Sequence, residues 1–362
     1  MIDLKIVVFT CNTGGGHNSC AKYIKQEFEK NNILCDVKDY MEFFGDKASE
    51  ISEKLYLGST KGNGNAFKFI YKVGELFNET GLKSPVYNFN KKCIKKLDQF
   101  LVDDKYDLAI GTHVFPCLAL TALKKERNIK FINVATDYEC TPFWNETTPD
   151  LFVIPSKLLT SRFVSKGMDE NILFPFGIPV ASSFFSFKNN VSLPTTKKIV
   201  LLTSGSMGFG AVEKITKKIL ENVDCFLVVV CGNNIKLQNI LEKIKNDNLL
   251  VLGFINNINE YMNLSNVIVA KPGGLTTTEI SMMRKPLVHM MPIPGVENYN
   301  AEFFATNKMS LRANNIEEVV DSVKRLLNDE ILQKEIIENQ EKNINKNSAK
   351  DLVDYVLNNF EN

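Results

Sequence analysis

The first stretch whose residues could do chemistry is a glycine-rich loop that ends in a histidine, FTCNTGGGHNSCAKYIKQEFEK at residues 9–30. An apolar strand leads into Gly14, Gly15 and Gly16, then His17, and a helical pattern follows. Glycines let a substrate approach the backbone, and an imidazole, which titrates near neutral pH, can take a proton from a hydroxyl. We therefore predict that His17 is a general base beside a bound substrate; a surface or core histidine is the alternative.

Asp137 is a second candidate functional residue. It ends the predicted strand IKFINVATD at residues 129–137, within NVATDYECTPFW. In open α/β sheets ligands bind outside the carboxyl ends of the strands, so its carboxylate would point toward a ligand. An aspartate that only forms a turn is the alternative.

A second glycine-rich loop, TSGSMGFGAVEK, occupies residues 203–214, between a predicted strand and a predicted helix. Small residues let backbone N–H groups approach an anion, and the N-terminus of a helix favours negative charge. The loop predicts a phosphate contact, and a plain tight turn is the alternative. Its glycines are Gly205, Gly208 and Gly210.

A third stretch, VIVAKPGGLTTTEISMMRKP at residues 267–286, combines a strand end, a glycine pair and threonines at the start of a helix. Hydroxyls and unpaired N–H groups at a helix start suit a diphosphate, and an acid one turn later could hold ribose hydroxyls. A glycine turn with threonine caps is the alternative. The candidate residues are Lys271, Gly273, Gly274, Thr276, Thr277 and Glu279.

A fourth stretch, MPIPGVENYNAEFF at residues 291–304, places acids and amides just before a helix. Carboxylates and amides at a loop tip suit sugar hydroxyls. Glu297, Asn298 and Asn300 are the candidates, and a turn with a helix cap is the alternative.

Alternating strands and helices must position these loops. Such an alternation occurs in two separate stretches of the chain. Short β-branched runs separated by helical patterns predict βαβ units and parallel sheets, an α/β class. The pattern lapses at FKNNVSLPTTKK, residues 187–198, and then restarts. We predict two Rossmann-like domains facing a cleft, at residues 1–186 and 199–362, with 187–198 as the linker.

The composition excludes several classes of protein. The chain has 362 residues and a net charge of +1, so no overall positive electrostatic potential favours the binding of nucleic acid. Eight scattered cysteines form no CxxC pair, so neither a metal site nor a disulfide framework is predicted. No targeting segment is recognised and the apolar runs are too short to span a membrane, so we expect a cytoplasmic protein that meets a membrane only at its surface.

One region breaks the alternation. Residues 51–100 contain no convincing strand, and lysines and aromatic residues interleave between 61 and 96. We predict a helical insertion that binds an anionic membrane surface. A solvated helix pair with a packed aromatic core is the alternative.

The pieces TGGGHNS, TDY, FGIPV, KPGGLTTTE and PGVENYN occur in this order along nearly the whole chain. Together they resemble the monogalactosyldiacylglycerol synthase and processive diacylglycerol glucosyltransferase family, which is related to the peptidoglycan UDP-N-acetylglucosaminyltransferase. The resemblance implies a GT-B fold and inverting, metal-independent transfer of a hexose from a UDP-sugar to a lipid, with diacylglycerol as the expected acceptor. It also implies no cofactor and a place at the inner face of the cell membrane.

The resemblance also implies roles for individual residues. His17 would lie near the acceptor hydroxyl, beside the loop of Gly14, Gly15 and Gly16, and Asp137 would be the other candidate base. The C-terminal domain would hold the donor: the diphosphate by the two glycine loops, the ribose by Glu279, the sugar by Glu297 and Asn298, and the uracil by Phe254. The loop residues concerned are Gly205, Ser206, Met207, Gly208, Gly210, Lys271, Gly273, Gly274, Leu275, Thr276 and Thr277.

The sequence departs from the family at Thr141, which stands about where a histidine is usual. The sugar, the lipid, processivity and oligomeric state stay open. A UDP-sugar epimerase of the same fold and a non-catalytic relative that binds lipid or nucleotide are the alternative functions. A nicotinamide dehydrogenase fits less well, because GGGH lacks the GxGxxG spacing.

Overall fold

The computed structural model describes residues 4–12, 15–45, 83–186, 188–205, 208, 211–292 and 295–360. These residues form two compact units. The first contains the described residues up to Ala181, residues 295 and 296, and those from Asn345 onward; the second contains those from Ser182 to Pro292 and from Glu297 to Ile344.

The first unit is built on a sheet in which all neighbouring strands are parallel. Its strands are β1 (Lys5–Thr10), β2 (Leu34–Asp39), β3 (Leu108–Gly111), β4 (Phe131–Val134), β5 (Leu151–Val153) and β6 (Leu173–Phe174). The strand order among the described residues is β2-β1-β3-β4-β5-β6. The order reverses between β1 and β3, which is where open α/β sheets bind ligands.

Helices cover this sheet and bury its apolar faces. They are α1 (Gly15–Lys30), α2 (Pro85–Asn90), α3 (Ile94–Asp103), α4 (Val114–Lys124) and α5 (Thr160–Ser165). Every residue of β1 except Lys5 is buried, as expected of a strand in a sheet covered on both faces. The helix that the sequence predicts after His17 begins already at Gly15, so His17 lies in its first turn.

The second unit repeats this architecture. Its strands are β7 (Ile199–Thr203), β8 (Phe226–Val230), β9 (Leu249–Leu252), β10 (Val267–Ala270), β11 (Leu287–Met290) and β12 (Leu311–Ala313). They are all parallel, in the order β12-β11-β10-β7-β8-β9. The reversal here lies between β7 and β10, so the loops after these two strands are the expected ligand-binding edge.

The helices of the second unit follow its strands in turn. They are α6 (Val212–Asn222), α7 (Ile235–Leu241), α8 (Ile258–Leu264), α9 (Gly274–Met282), α10 (Val296–Thr306), α11 (Ile316–Asn328) and α12 (Glu330–Asn343). Aliphatic side chains from α6, α11 and the central strands form one continuous buried core. The strand-and-helix alternation predicted from the sequence is therefore present in both units.

The division of the chain differs from the expected one at both ends of the second unit. The last helix, α13 (Ser348–Asn359), belongs to the first unit, although 199–362 was expected to form a single domain. The Ser348 hydroxyl donates to the carbonyl of Ile178 at 2.9 Å, and the Asn345 amide donates to the carbonyl of Phe176 at 2.8 Å. Since α13 buries Leu352, Val353 and Val356, its apolar face has its partner in the first unit.

The predicted linker, 187–198, is held to the second unit. Its backbone N–H groups at Asn190 and Val191 donate to the Glu260 carboxylate at 2.6 and 3.0 Å. The second unit accordingly begins upstream of it, at Ser182. Of the predicted insertion, residues 51–82 lie outside the described residues, and 83–100 are largely helical, in α2 and α3.

Candidate functional site

His17 lies where β1 passes into α1, at the point where the strand order of the first sheet reverses. Its Nδ1 atom is 2.8 Å from the carbonyl oxygen of Thr112 and 2.9 Å from the hydroxyl oxygen of Thr136. Thr112 follows β3, and Thr136 follows β4. The carboxyl ends of three strands therefore meet at this imidazole.

These contacts determine which ring nitrogen carries the proton. A carbonyl oxygen can only accept a hydrogen bond, so the Nδ1–H of His17 donates to Thr112. In the neutral ring the lone pair then lies on Nε2. His17 is thereby prepared to accept a proton at Nε2, which is the requirement for a general base.

Hydroxyl and amide groups hold the loop around His17. The Thr10 hydroxyl donates to the Asn18 side chain at 2.8 Å, and the Asn18 amide donates to Asn12 at 3.1 Å. The Thr112 hydroxyl lies 3.2 Å from the carbonyl of His17. Gly15 and Gly16 lie in the first turn of α1, and Gly14 is outside the described residues.

Asp137 is the residue after Thr136, so the second candidate base stands on the segment that contacts His17. The residues that follow are firmly packed: Tyr138 is buried, and the Glu139 carboxylate accepts from the Arg162 guanidinium at 2.9 Å. Trp144 is also buried and packs on Phe152, with ring centroids 5.0 Å apart. The segment that carries Asp137 is thus anchored on both sides of the carboxylate.

The sequence did not single out Thr112, Thr136 or His113 as site residues. Each follows a strand near the reversal point, which is the signal that could have identified them. The ring of His113 contacts that of His17, with centroids 4.8 Å apart. Burial, and secondly the neighbouring His17, hold the pKa of His113 well below its ordinary value.

In the second unit, the loop after β7 contains two glycines with left-handed backbone. Gly205 has φ 74° and Gly208 has φ 61°. A Cβ at Gly208 would lie 2.1 Å from the carbonyl oxygen of Cys231, so this position requires glycine. The Asn234 amide donates to the Gly208 carbonyl at 2.8 Å and fixes the turn. Three predicted members of the loop lie outside the described residues: Ser206, Met207 and Gly210.

The start of α9 has the features of an anion site. The capping position is Gly273, which has no side chain, and the first N–H groups of a helix have no intrahelical acceptor. In the described part of the chain no atom lies within 4 Å of the place where a Cβ would be at Gly273 or Gly205. An anion can therefore approach this backbone closely. Gly274 and Leu275 are buried, and Thr276 is partly buried.

The Thr277 hydroxyl points into the protein interior. It is buried and lies 3.1 Å from Nε2 of His289 on β11. The other ring nitrogen, Nδ1, lies 3.0 Å from the Ser310 hydroxyl. Burial, and secondly the charge of Arg312, lower the pKa of His289 to about 3, so the ring is neutral and joins α9 to β11. The predicted use of this hydroxyl for a diphosphate has no support in these contacts.

Polar contacts tie the start of α10 to the end of β10. The Lys271 ammonium lies 2.9 Å from the Glu297 carboxylate, with side chains only 16% and 18% exposed. The Asn300 amide donates to the carbonyl of Pro272 at 2.9 Å. The Arg312 guanidinium donates to the Asn298 side chain at 3.3 Å. The structure thus brings Lys271 and Glu297 together, and it assigns Asn300 a structural contact.

Two further residues that were predicted to bind the sugar donor differ in exposure. Phe254 follows β9 and is 58% exposed, so its ring offers a surface on which a flat ring can stack. Glu279 is buried, one turn into α9.

Within the ranges that the structure describes, no three His, Cys, Asp or Glu side chains are grouped to hold a metal ion. The same residues include no helix long and apolar enough to cross a membrane.

Two family models match the chain. Residues 17–180 match the model of monogalactosyldiacylglycerol (MGDG) synthase, and residues 188–343 match that of glycosyl transferases group 1. The chain is 28% identical, over 98% of its length and 93% of the relative, to the processive diacylglycerol beta-glucosyltransferase of Bacillus thuringiensis (strain Al Hakam).

Solved structures resemble the whole chain. MurG of Acinetobacter baumannii matches with a TM-score of 0.65 and 13% identity, covering 98% of this chain and 99% of that one. A UDP-N-acetylglucosamine 2-epimerase matches with a TM-score of 0.61 and 14% identity, covering 99% and 96%. At these identities the likeness concerns the fold alone, which is GT-B. The two matched models and the near full-length relative show that the chain is a glycosyltransferase, similar to the monogalactosyldiacylglycerol synthase and processive diacylglycerol glucosyltransferase family.

Proposed function

We propose that this glycosyltransferase moves a hexose from a UDP-sugar to a lipid, with inversion at the anomeric carbon and diacylglycerol as the acceptor. The observation that carries the proposal is His17, whose Nδ1–H is donated to Thr112 so that Nε2 can accept a proton. The acceptor is inferred from the name of the Bacillus thuringiensis relative, a processive diacylglycerol beta-glucosyltransferase.

The second unit binds the donor in this proposal. The diphosphate takes N–H groups at the start of α9 and at the Gly205 turn, since both approach an anion without steric hindrance. Lys271, now paired with Glu297 at 2.9 Å, turns toward the β-phosphate and frees the Glu297 carboxylate for sugar hydroxyls. Phe254 stacks on the uracil, and Glu279 holds the ribose.

Chemistry proceeds by one displacement. The acceptor hydroxyl attacks the anomeric carbon as its proton passes to Nε2 of His17, and the bond to the β-phosphate oxygen breaks with its electron pair leaving on UDP. A single displacement inverts the anomeric configuration. The charge that develops on the leaving diphosphate is stabilised by helix N–H groups and Lys271, without a cofactor or metal in this proposal.

We place the protein, in this proposal, at the inner face of the cell membrane. The described part of the basic segment supports contact with anionic lipid. Phe89 is 45% exposed and stacks on Phe44 with centroids 4.6 Å apart, and the Lys92 ammonium is 5.9 Å from the Phe89 ring centroid. Aromatic rings and lysines together favour an anionic interface. Residues 61–82 of the predicted membrane surface lie outside the described residues.

Substitution of the two candidate bases tests the mechanism. General base catalysis contributes about 10² to 10⁴-fold in rate, so His17→Ala should lower kcat by a factor in this range and leave the Kd of UDP unchanged. Asp137→Asn is the matched test of the rival base: it removes the neighbouring carboxylate without removing the imidazole. If His17→Ala keeps wild-type turnover while Asp137→Asn loses it, Asp137 is the base and the role of His17 is wrong.

An epimerase of the same fold is the second candidate, favoured by the structural likeness to UDP-N-acetylglucosamine 2-epimerase. That enzyme class would convert free UDP-sugar without a lipid. Product analysis with a panel of labelled UDP-sugars, with and without diacylglycerol, distinguishes the two and also identifies the sugar.

A further inference from the structure

His113, to which the proposed mechanism assigns no role, lies directly against His17. The two rings are edge to face, with centroids 4.8 Å apart and planes at 83°. The His113 ring also contacts the Phe115 ring, at 4.6 Å and 81°. Three rings joined by two contacts therefore run from the start of α4 to the candidate base.

The orientation of His113 is itself fixed. It is the N-cap residue of α4, and its Nδ1 accepts a hydrogen bond from the backbone N–H of Phe115 at 3.2 Å. The proton of the neutral ring is therefore on Nε2. The two histidines are thus held in opposite tautomers, His17 with Nδ1–H and His113 with Nε2–H.

His113 adds a contact of a different kind to His17. The Thr112 carbonyl at 2.8 Å and the Thr136 hydroxyl at 2.9 Å both restrain the His17 ring through its Nδ1 atom. Contact with a second, rigidly held ring limits the rocking of the ring plane that these hydrogen bonds still allow. A general base must keep its lone pair aligned with the proton it takes, because small misplacements of a reacting group reduce rate strongly.

We infer that His113 is a positioning residue: its ring fixes the plane of the His17 ring, so that Nε2 of His17 faces the substrate. The kinetic consequence rests on the proposed function. The effect on the His17 ring does not, and it can be measured in the protein without substrates.

Two substitutions separate the ring of His113 from its capping role. His113→Phe keeps an aromatic ring against His17 but loses the cap of α4. His113→Asn keeps a strong N-cap but loses the ring. If His113 mattered only as the cap of α4, the asparagine variant would retain wild-type behaviour. If His113 positions His17, the phenylalanine variant would retain it. His113→Ser, which also caps, replaces the asparagine variant should that protein not fold.

Carbon-13 relaxation NMR of the imidazole C–H groups gives the first readout, and the chain has only three histidines, so single substitutions assign the signals. We expect the His17 ring to be rigid in the wild type and in His113→Phe, and more mobile in His113→Asn, while Nδ1–H persists in all three proteins because the Thr112 carbonyl holds it. An equally rigid His17 ring in His113→Asn would overturn the inference, even if the wild type made no glycolipid and the proposed function failed.

Kinetics give the second readout. We expect His113→Asn to lower kcat about tenfold with an unchanged KM for the donor, and His113→Phe to stay within about threefold of the wild type. In a His17→Ala background, His113→Asn should have less than about a twofold effect, because a positioning residue acts through its target. An equal loss in both backgrounds, or an equal loss in the two His113 variants, would overturn the inference.

Discussion

The buried His289 makes the stability of the second unit depend on pH in a calculable direction. Burial, and secondly Arg312, lower the pKa of this residue to about 3, against about 6.5 in an unfolded chain. Between these values the unfolded state binds a proton that the folded state does not. The stabilisation is therefore complete above the unfolded pKa and is lost progressively as pH falls toward the folded pKa.

The magnitude follows from the same pKa values. Each pH unit below the unfolded pKa removes about 1.4 kcal/mol from the free energy of unfolding of the second unit. Lowering the pH from about 7 to about 5 should therefore remove about 2 kcal/mol, or roughly 30-fold in the opening equilibrium. Since Thr277 of α9 bonds to His289, the helix that we propose to bind the diphosphate should loosen with it.

Hydrogen exchange measured by mass spectrometry on peptides from α9 and β11 is the suitable assay, because two compact units need not unfold together. Corrected for the intrinsic rate of exchange, wild-type protection should fall roughly 30-fold more than that of His289→Gln over this interval. The glutamine keeps a hydrogen-bonding group but does not titrate. Equal losses in the two proteins would refute the assignment of a neutral, buried His289.

Four further predictions concern the proposed donor and membrane contacts. Glu279→Ala should weaken UDP binding about tenfold in calorimetry, because a hydrogen bond to a charged group contributes about 1.5–3 kcal/mol; unchanged affinity would rule out its ribose contact. Phe254→Ala should weaken UDP about tenfold but leave inorganic diphosphate unaffected, since only the base loses its stacking partner; an equal loss for both would contradict stacking. Lys271→Ala should weaken UDP and leave uridine unaffected, because only UDP carries the phosphate charge, and loss of uridine binding would disprove the phosphate contact. Substitution of Lys92 and Lys95 together by glutamine should weaken binding to anionic vesicles roughly 30-fold in co-sedimentation, at about 1 kcal/mol per lysine, and leave neutral vesicles unchanged; binding independent of anionic lipid would argue against the membrane surface.

Much of the fold could be predicted because each strand of the sheet interiors is a short, continuous apolar run between helices. The strands β6 and β12 were not predicted. They lie at the edges of their sheets and have two and three residues, too few to show a period. The place of α13 was also missed, since helical periodicity says which face is apolar but not which unit covers it.

The candidate site, like the fold, could be predicted only in part. Local sequence places His17 at a strand end, and it places Gly273 at the start of a helix, because glycine and strand patterns are short-range signals. The contact of His17 with Thr136 spans 119 residues, and no local pattern contains it. The inward direction of the Thr277 hydroxyl likewise depends on His289, which belongs to another strand.

The most direct test of the account is whether UDP release requires a lipid. Purified protein would be mixed with UDP-glucose and vesicles with or without diacylglycerol, while UDP is measured and lipids are separated by thin-layer chromatography. We expect UDP release only with diacylglycerol, matched by an equal amount of new glycolipid of inverted configuration. Conversion of the UDP-sugar without diacylglycerol, or UDP release without a glycolipid, would contradict the assignment.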